Sequence, residues 1–453
     1  MQVNTLIDKA RGFVNSAFYP LSLALMALLT WMFENPFIYL FVAVYCLLGL
    51  LPLLCKDGRG YIPFLLFSFI MPNTGISFTT YPPYLCFVMS VFLISVIAFI
   101  IIRKVAFRKG DLLIYACLLF LSFFISYIYN SAVTGVGDSN GILYILGFFI
   151  LIIVYSLLST ILGTGESFNY LSKTIALFSF AILVEIFIFS VRNGFEIAPH
   201  DFTLGWSYTS QTASTLLCLS LPFYGVLVYQ KKFIWGIGEL FVIAGIILLS
   251  TDSGLLCLLL GIIPLILLSF RSYGKFYPYF SLVSIATIGI VFCILLALNT
   301  TFNQRVITAI QSLALFNEPA EWRNLLFSEA ITDFKSNPYI GTSISSFSNI
   351  NGTLTLSSNT ILSTLVMGGS VGLGFYFLFE VIVYYRCLIK KTADKWFFLM
   401  FLLSIELIGL IDNTIYNLSI LFFFLIVNAC YQRSNREEDV IVHSSFYDNF
   451  RKE

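Results

Sequence analysis

Apolar residues run through this chain in long blocks of Leu, Ile, Phe and Val, broken by short polar stretches. A helix needs about 20 mostly apolar residues to cross a bilayer, and the blocks have that length. They predict fourteen spans: 17–33, 36–54, 61–78, 84–102, 111–129, 142–162, 171–191, 211–230, 233–250, 253–270, 277–298, 361–385, 396–411 and 414–431. The pairs 233–250/253–270 and 396–411/414–431 have almost no linker. The predicted class is an all-α polytopic membrane protein with 12–14 transmembrane helices. It would form a single integral membrane domain over 1–453, with a loop at 192–210, a large loop at 299–360 and a tail at 432–453.

Composition agrees with the pattern. Hydrophobic residues make up 58% of the 453 and charged residues 11%. Soluble domains carry about 25% charged residues, so there is too little polar surface here for a water-soluble fold. A net charge of +1 without a compact basic stripe disfavours a nucleic-acid binder. The N-terminus lacks a short apolar stretch ending at a small-residue cleavage site, so the first span is expected to act as its own insertion signal.

Charge then orients the spans. With fourteen crossings, 21 of the 25 Lys and Arg fall on one side, among them Arg11, Arg59, Arg103, Arg386 and Lys390. Arg192, Arg305, Arg323 and Lys335 fall on the other. The cation-rich side is the cytoplasm by the positive-inside rule, which predicts both termini there. The nine cysteines lie in spans or at their cytoplasmic ends and form no CxxC pair, so no disulfide framework is implied. His200 and His443 fall on opposite sides, which disfavours a histidine metal site.

The break at 299–360 is too long for a turn, and loops of that kind carry function. Its middle, from Glu321 to Phe334, predicts a helix with Leu326, Phe327, Ala330, Ile331 and Phe334 on one face. Asn337-Pro338 stops it, and Gly341 to Thr360 reads as irregular chain. Arg323 falls in the first turn, where a cation opposes the helix dipole. Either an anion comes to it, as phosphate does at helix N-termini, or it snorkels or pairs with Glu318 or Glu321. Arg192 and Arg305 are the other arginines on that side, and arginine forks match phosphate oxygens. Together they are candidate ligands for a lipid-linked pyrophosphate, although Arg305 alone reads as surface charge.

The loop 192–210 adds Glu196, His200, Asp201, Trp206 and Tyr208. Rings that stack on sugar faces beside carboxylates suit carbohydrate, whereas Trp206 and Tyr208 fit an interfacial aromatic belt equally well. His200 is a candidate general base or a solvated loop histidine. Asp252 is a helix N-cap or a site group, and so is Asp412. Glu185, Glu239, Glu380 and Glu406 lie in spans or near their ends, where acids are costly and point to function.

Over roughly 205–385 the chain resembles the O-antigen ligase/O-antigen polymerase superfamily of bacterial membrane glycosyltransferases. Four segments carry the resemblance. Gly205 to Ala213, leading to Leu221-Pro222, looks like the family's "G…N.A…lP". Leu248 to Leu258 looks like its "S-R-(S/G)" break. Arg323…Ala330…Asn337-Pro338-Tyr339-Ile340-Gly341…Phe347 looks like "R…A…P..G.G…F". Ser357-Ser358-Asn359-Thr360…Gly368-Gly369…Gly372-Leu373 looks like "H(S).N…l…G..G". The departures are Asp252 near the place of the second segment's arginine, Ser343 in place of the second glycine of "G.G", and Ser357 or Ser358 in place of a histidine associated with ligases.

The resemblance implies a GT-C-like helical bundle with a large periplasmic loop in the bacterial inner membrane. It implies glycosyl transfer from undecaprenyl-pyrophosphate-linked oligosaccharide, without metal or other cofactor. The missing histidine favours a polymerase that extends surface polysaccharide of the O-antigen type, with a chain-length regulator and a flippase as possible partners. Arg323 would stabilise the leaving group, backed by Arg192 and Arg305. The general base would be Asp201, His200, Glu321 or Asp252, and Trp206, Tyr208 and Asn359 would line the substrate site. The alternatives are a ligase of the same superfamily and a lipid-linked oligosaccharide flippase. A flippase would be expected to show repeated halves, and the sequence shows none. Motifs of the SEDS peptidoglycan polymerases are not seen.

Overall fold

The computed structural model describes residues 2–33, 37–71, 83–134, 139–162, 167–192, 210–229, 234–249, 321–343, 359–390, 394–410 and 416–433, with isolated positions between 251 and 307 and at 413. Among them the chain is helical and no strand occurs. Fourteen α-helices follow one another: α1 (Gln2–Val14), α2 (Phe18–Met32), α3 (Phe37–Leu50), α4 (Tyr61–Phe67), α5 (Pro83–Arg103), α6 (Leu113–Thr134), α7 (Ser139–Ile161), α8 (Ser167–Arg192), α9 (Ser210–Tyr229), α10 (Ile234–Leu249), α11 (Glu321–Ser336), α12 (Thr360–Ile389), α13 (Asp394–Gly409) and α14 (Leu418–Arg433).

These are not the fourteen segments that the apolar pattern predicts. The spans expected at 253–270 and 277–298 lie almost wholly outside the described residues. In their stead stand α1, which bends by 75° into α2, and α11, which is too polar to be a span. Of the span expected at 61–78, residues 72–78 lie outside the described residues. Its helix tightens to a 3-10 turn over Ser68–Ile70 and ends with Met71 extended (φ −61°, ψ 137°). Met71 precedes Pro72, whose ring disfavours the helical conformation in the residue before it.

Six helices are long and apolar enough to cross a membrane, among the described residues, or seven with the bent α1–α2 pair. The protein is thus an all-helical membrane protein. Packing sorts the helices into inner and outer ones. α14 is buried along its length, as a helix apolar all round should be. It packs on α7 and α8, while α9 packs on α8, α10 and α13. Aromatic side chains fill the centre, including Phe69 against Phe422 (5.0 Å between ring centroids) and Phe398 stacked on Tyr431 (3.8 Å). Buried hydroxyls turn back onto their own helices: Ser68 donates to Leu65 O, Ser179 to Ala176 O and Ser220 to Leu217 O. Such bonds let serine sit in a low-dielectric interior. Outer helices instead expose Ile, Phe and Leu, such as Ile94, Ile101, Phe187 and Leu403, which a hydrocarbon surround tolerates.

One end of the bundle gathers cations and the groups that neutralise them. Arg11 Nε (2.7 Å) and Arg103 Nη2 (3.0 Å) both donate to Leu54 O. Arg59 pairs with Asp57 at 2.8 Å and Arg386 with Asp111 at 2.7 Å. Lys390 donates to Tyr431 O and lies 3.7 Å from the centre of that ring. Burial pulls its ammonium down to about 7.

Candidate functional site

The polar chemistry at the opposite end begins with α11. Its helix runs from Glu321 and stops before Asn337-Pro338, within two residues of the expected end. The buried side of α11 centres on Ala330, fully buried against Val366 and Leu362 of α12. Ile331, expected on that side, is 43% exposed. Phe327 and Phe334, expected on the same side, are half-buried, and α11 lies close on the first half of α12 at Ala330.

α12 is a broken helix. Gly369 has φ 61°, ψ −160°, a conformation essentially restricted to glycine. The break diverts two amides from their own helix. Ser370 N donates to Pro338 O (2.9 Å) and Val371 N to Tyr339 O (3.3 Å). Val366 O, which Ser370 would otherwise have bonded, accepts from Thr342 N instead (2.8 Å). In hydrocarbon an unmet backbone group costs several kcal/mol, so the segment 337–343 acts as the missing turn of the span. Gly341 (φ 84°) permits this approach. Asn130 of α6 fixes it by donating from Nδ2 to Gly341 O (2.9 Å) and to Ser126 O (2.8 Å). Gly368 and Gly372, one turn apart, give α6 its seat: a Cβ at Gly368 would stand 3.0 Å from the Phe123 ring, and one at Gly372 3.3 Å from Ser122 Oγ. Small residues at that spacing let membrane helices approach closely.

Asn359 caps α12 by accepting from Leu362 N (3.0 Å), and its Nδ2 donates to Leu410 O (3.0 Å) at the end of α13. Both ends of the amide thus bind backbone, which gives this expected substrate ligand a positioning role. One turn back from Leu410 on α13 stands Glu406, half-buried, and α12, which packs on α13, carries the buried Glu380. The Tyr416 hydroxyl is bonded to that of Thr364, and its ring stands edge-on to Phe123 (5.7 Å). Tyr144 donates to Tyr416 O.

Arg323 and Glu321 occupy the first turn of α11, and Arg192 ends α8. For these three the backbone alone is described. His200, Asp201, Trp206, Tyr208, Asp252 and Arg305 lie outside the described residues. The four span acids separate. Glu380 and Glu406 lie on α12 and α13, which pack on one another. Glu185, in α8, is fully buried with neither oxygen bonded among the described residues. Glu239 lies in α10.

The chain matches no protein-family model and no curated protein.

Proposed function

We propose that the chain is a polymerase of surface polysaccharide, similar to those of the O-antigen ligase/O-antigen polymerase superfamily. It works in the bacterial inner membrane, with the cation-rich end and both termini in the cytoplasm and the α11 end at the periplasmic face. It transfers a growing glycan from undecaprenyl pyrophosphate onto a new lipid-linked repeat unit. A flippase would deliver that unit, and a chain-length regulator would limit the product.

One observation carries the reading. Two segments chosen for their resemblance, Arg323 to Gly341 and Asn359 to Leu373, are built into one another at the Gly369 break. The arginine-bearing helix is thereby fixed on a half-span that also packs on α6 at Phe123 and bonds Tyr416 through Thr364. Such a platform can hold a pyrophosphate at the mouth of a lipid groove. Arg323 would neutralise the leaving group as the glycosyl C–O bond breaks, with Arg192 and Arg305 behind it. No metal is required in this scheme.

The test is deletion of the gene, followed by complementation with wild type or Arg323→Ala and separation of the surface polysaccharide on a gel. The expected result is a core capped by one repeat unit on deletion, a full ladder with wild type and none with Arg323→Ala. Bare core with accumulated lipid-linked polymer would make the protein a ligase. Bare core with single units held on the cytoplasmic leaflet would make it a flippase. A full ladder with Arg323→Ala would remove that residue from the site.

A further inference from the structure

We infer that the cation-rich end carries a binding site for the headgroup of an anionic phospholipid, built from Arg11 of α1 with Arg103 and Lys104 at the end of α5. The site stands whether or not the chain is a polymerase. α1 bends by 75° into α2. With α2 crossing the apolar layer, α1 lies nearly flat along the boundary of that layer, as interfacial helices do. Val14 at its end is buried, while Asp8 and Lys9 are exposed. α1 packs on the 3-10 turn Leu51–Leu54, and so does α5. Arg11 Nε and Arg103 Nη2 thereby converge on one carbonyl, Leu54 O, at 2.7 and 3.0 Å. Two like charges flank one neutral acceptor, and they repel each other. Arg11 is offset in part by the exposed Asp8, 3.2 Å away. Arg103 and Lys104 have no carboxylate at ion-pair distance among the described residues.

The way α5 ends points to the ligand. Lys104 N donates to Ile101 O (3.3 Å) and Val105 N to Ile100 O (3.1 Å). This turn closes a helix on a left-handed residue, most often glycine. Here that residue is Lys104, at φ 49°. The strained lysine sets an exposed cation next to Arg103, and backbone strain of this kind collects where ligands bind. Arg103 bonds protein only through Nη2 among the described residues, which leaves Nη1 for an outside acceptor. Along one flank of α5, Ile94, Ile97 and Ile101 are 68%, 49% and 68% exposed at helical spacing. An apolar stripe therefore runs up to the two cations. Its occupant needs a hydrocarbon chain and an anionic head. A phosphodiester offers oxygens to the guanidinium forks and takes up the unbalanced charge. Basic pockets at the ends of membrane helices hold lipid headgroups in this way. Phosphatidylcholine has the same phosphate but brings its own cation, so Arg103 and Lys104 select a lipid of net negative charge over it.

The test uses the full chain in detergent, with native mass spectrometry counting bound lipid as phosphatidylglycerol or phosphatidylcholine of equal chain length is added. Wild type should bind phosphatidylglycerol more tightly. Arg11→Gln, Arg103→Gln and Lys104→Gly should each weaken that binding about fivefold, the usual contribution of one cation near an anionic headgroup. Lys104→Gly is the most telling variant, because glycine accepts the positive φ without strain. Its melting temperature should be no lower than that of wild type while its affinity falls, so the loss cannot come from unfolding. Lys109→Gln removes another exposed cation from the same end and should leave binding unchanged. Equal losses with Lys109→Gln and Lys104→Gly would reduce the preference to diffuse charge and overturn the site. Equal binding of the two lipids by wild type would overturn it as well, and so would a preference that survives in the double variant Arg103→Gln/Lys104→Gly. Displacement of the lipid by inorganic phosphate at equal concentration would make this a site for soluble phosphate and sink the lipid assignment. Should Arg103→Gln not fold, Lys104→Gly decides alone: unchanged affinity overturns the inference, and a loss with an intact melt supports it.

Discussion

Gly341 and Gly369 stand back to back, so that a Cβ on Gly341 would lie 2.6 Å from the backbone nitrogen of Gly369. Both have positive φ, at 84° and 61°. No alanine fits either place without separating the loop from the helix break that it fills. Gly341→Ala and Gly369→Ala are therefore each expected to release the hydrogen bonds from Thr342, Ser370 and Val371. The loss should exceed 2 kcal/mol, on the order of one or two unmet backbone groups in a low-dielectric interior. A lower melting temperature in detergent and loss of the polysaccharide ladder would be seen together. A wild-type melt for Gly369→Ala would contradict the interlock.

Ser343 gives the opposite prediction. It is buried at φ 66°, where the resembling motif carries glycine. A left-handed conformation costs a non-glycine residue roughly 1–2 kcal/mol, offset in part because glycine makes the unfolded chain freer. Ser343→Gly is expected to fold as well as wild type and to retain the ladder. Ser343→Val should fail, since a β-branched side chain resists this conformation most. Thermal melts of the two variants would decide it.

What could be read from the chain divides along the range of the interactions. The end of α11 was legible because Asn337-Pro338 acts within a few residues, and the apolar blocks gave the helical membrane class because span length is a local property. The break at Gly369 was not legible as a break: Gly368-Gly369 looks equally like a small-residue packing face, and Gly368 with Gly372 does serve as one against α6. Only the arrival of Thr342 and Pro338, nearly thirty residues earlier in the chain, gives Gly369 its conformation. The apolar pattern marked Glu185, Glu380 and Glu406 as costly, but it could not tell that Glu185 and Glu380 are buried while Glu406 is only half-buried. The N-terminal helix escaped notice because its polar face hides it from a search for long apolar runs.

Asn130 tests the interlock from the α6 side. Its Nδ2 bonds two carbonyls, Gly341 O and Ser126 O, in a buried setting. Asn130→Ala leaves Gly341 O short of a donor and is expected to cost about 1–3 kcal/mol. Asn130→Asp should be worse, because it replaces the donor with an acceptor that faces a carbonyl. Melting of both variants against wild type measures this directly. Equal melting of all three would place the anchoring of Gly341 elsewhere.

At the cation-rich end, Lys390 predicts a dependence of stability on pH. Burial lowers its folded value to about 7 from an ordinary 10.5. Cys387, Asp111 and Asp394 oppose that shift and Arg386 adds to it. Between those two pH values the unfolded chain holds a proton at Lys390 that the folded chain does not, so unfolding takes up protons. Stability then rises as pH increases from about 7 towards 10, and the penalty is fully present below 7. The melting temperature in detergent should climb between pH 7 and 9. Lys390→Met, which keeps the stem over Tyr431 and removes the ammonium, should flatten this slope. A slope that survives in Lys390→Met belongs to another group.

Asn359 separates holding the site from binding substrate. Its Oδ1 caps α12 through Leu362 N, while its Nδ2 ties the start of that helix to Leu410 O, one turn from Glu406. Asn359→Asp keeps the cap and replaces the donor with a carboxylate that repels Leu410 O. Asn359→Ser keeps a capping oxygen but is too short to reach α13. Asn359→Ala loses both and should cost about 1–2 kcal/mol from the cap alone. If Asn359 only positions the helices, Asn359→Ser should melt near wild type and retain the KM for the lipid-linked unit. Turnover should then fall modestly, because the start of α12 is less firmly held to the end of α13. If Asn359 binds sugar, the same substitution should raise KM while turnover holds. The structure favours the first outcome, since both ends of the amide are already bonded to backbone.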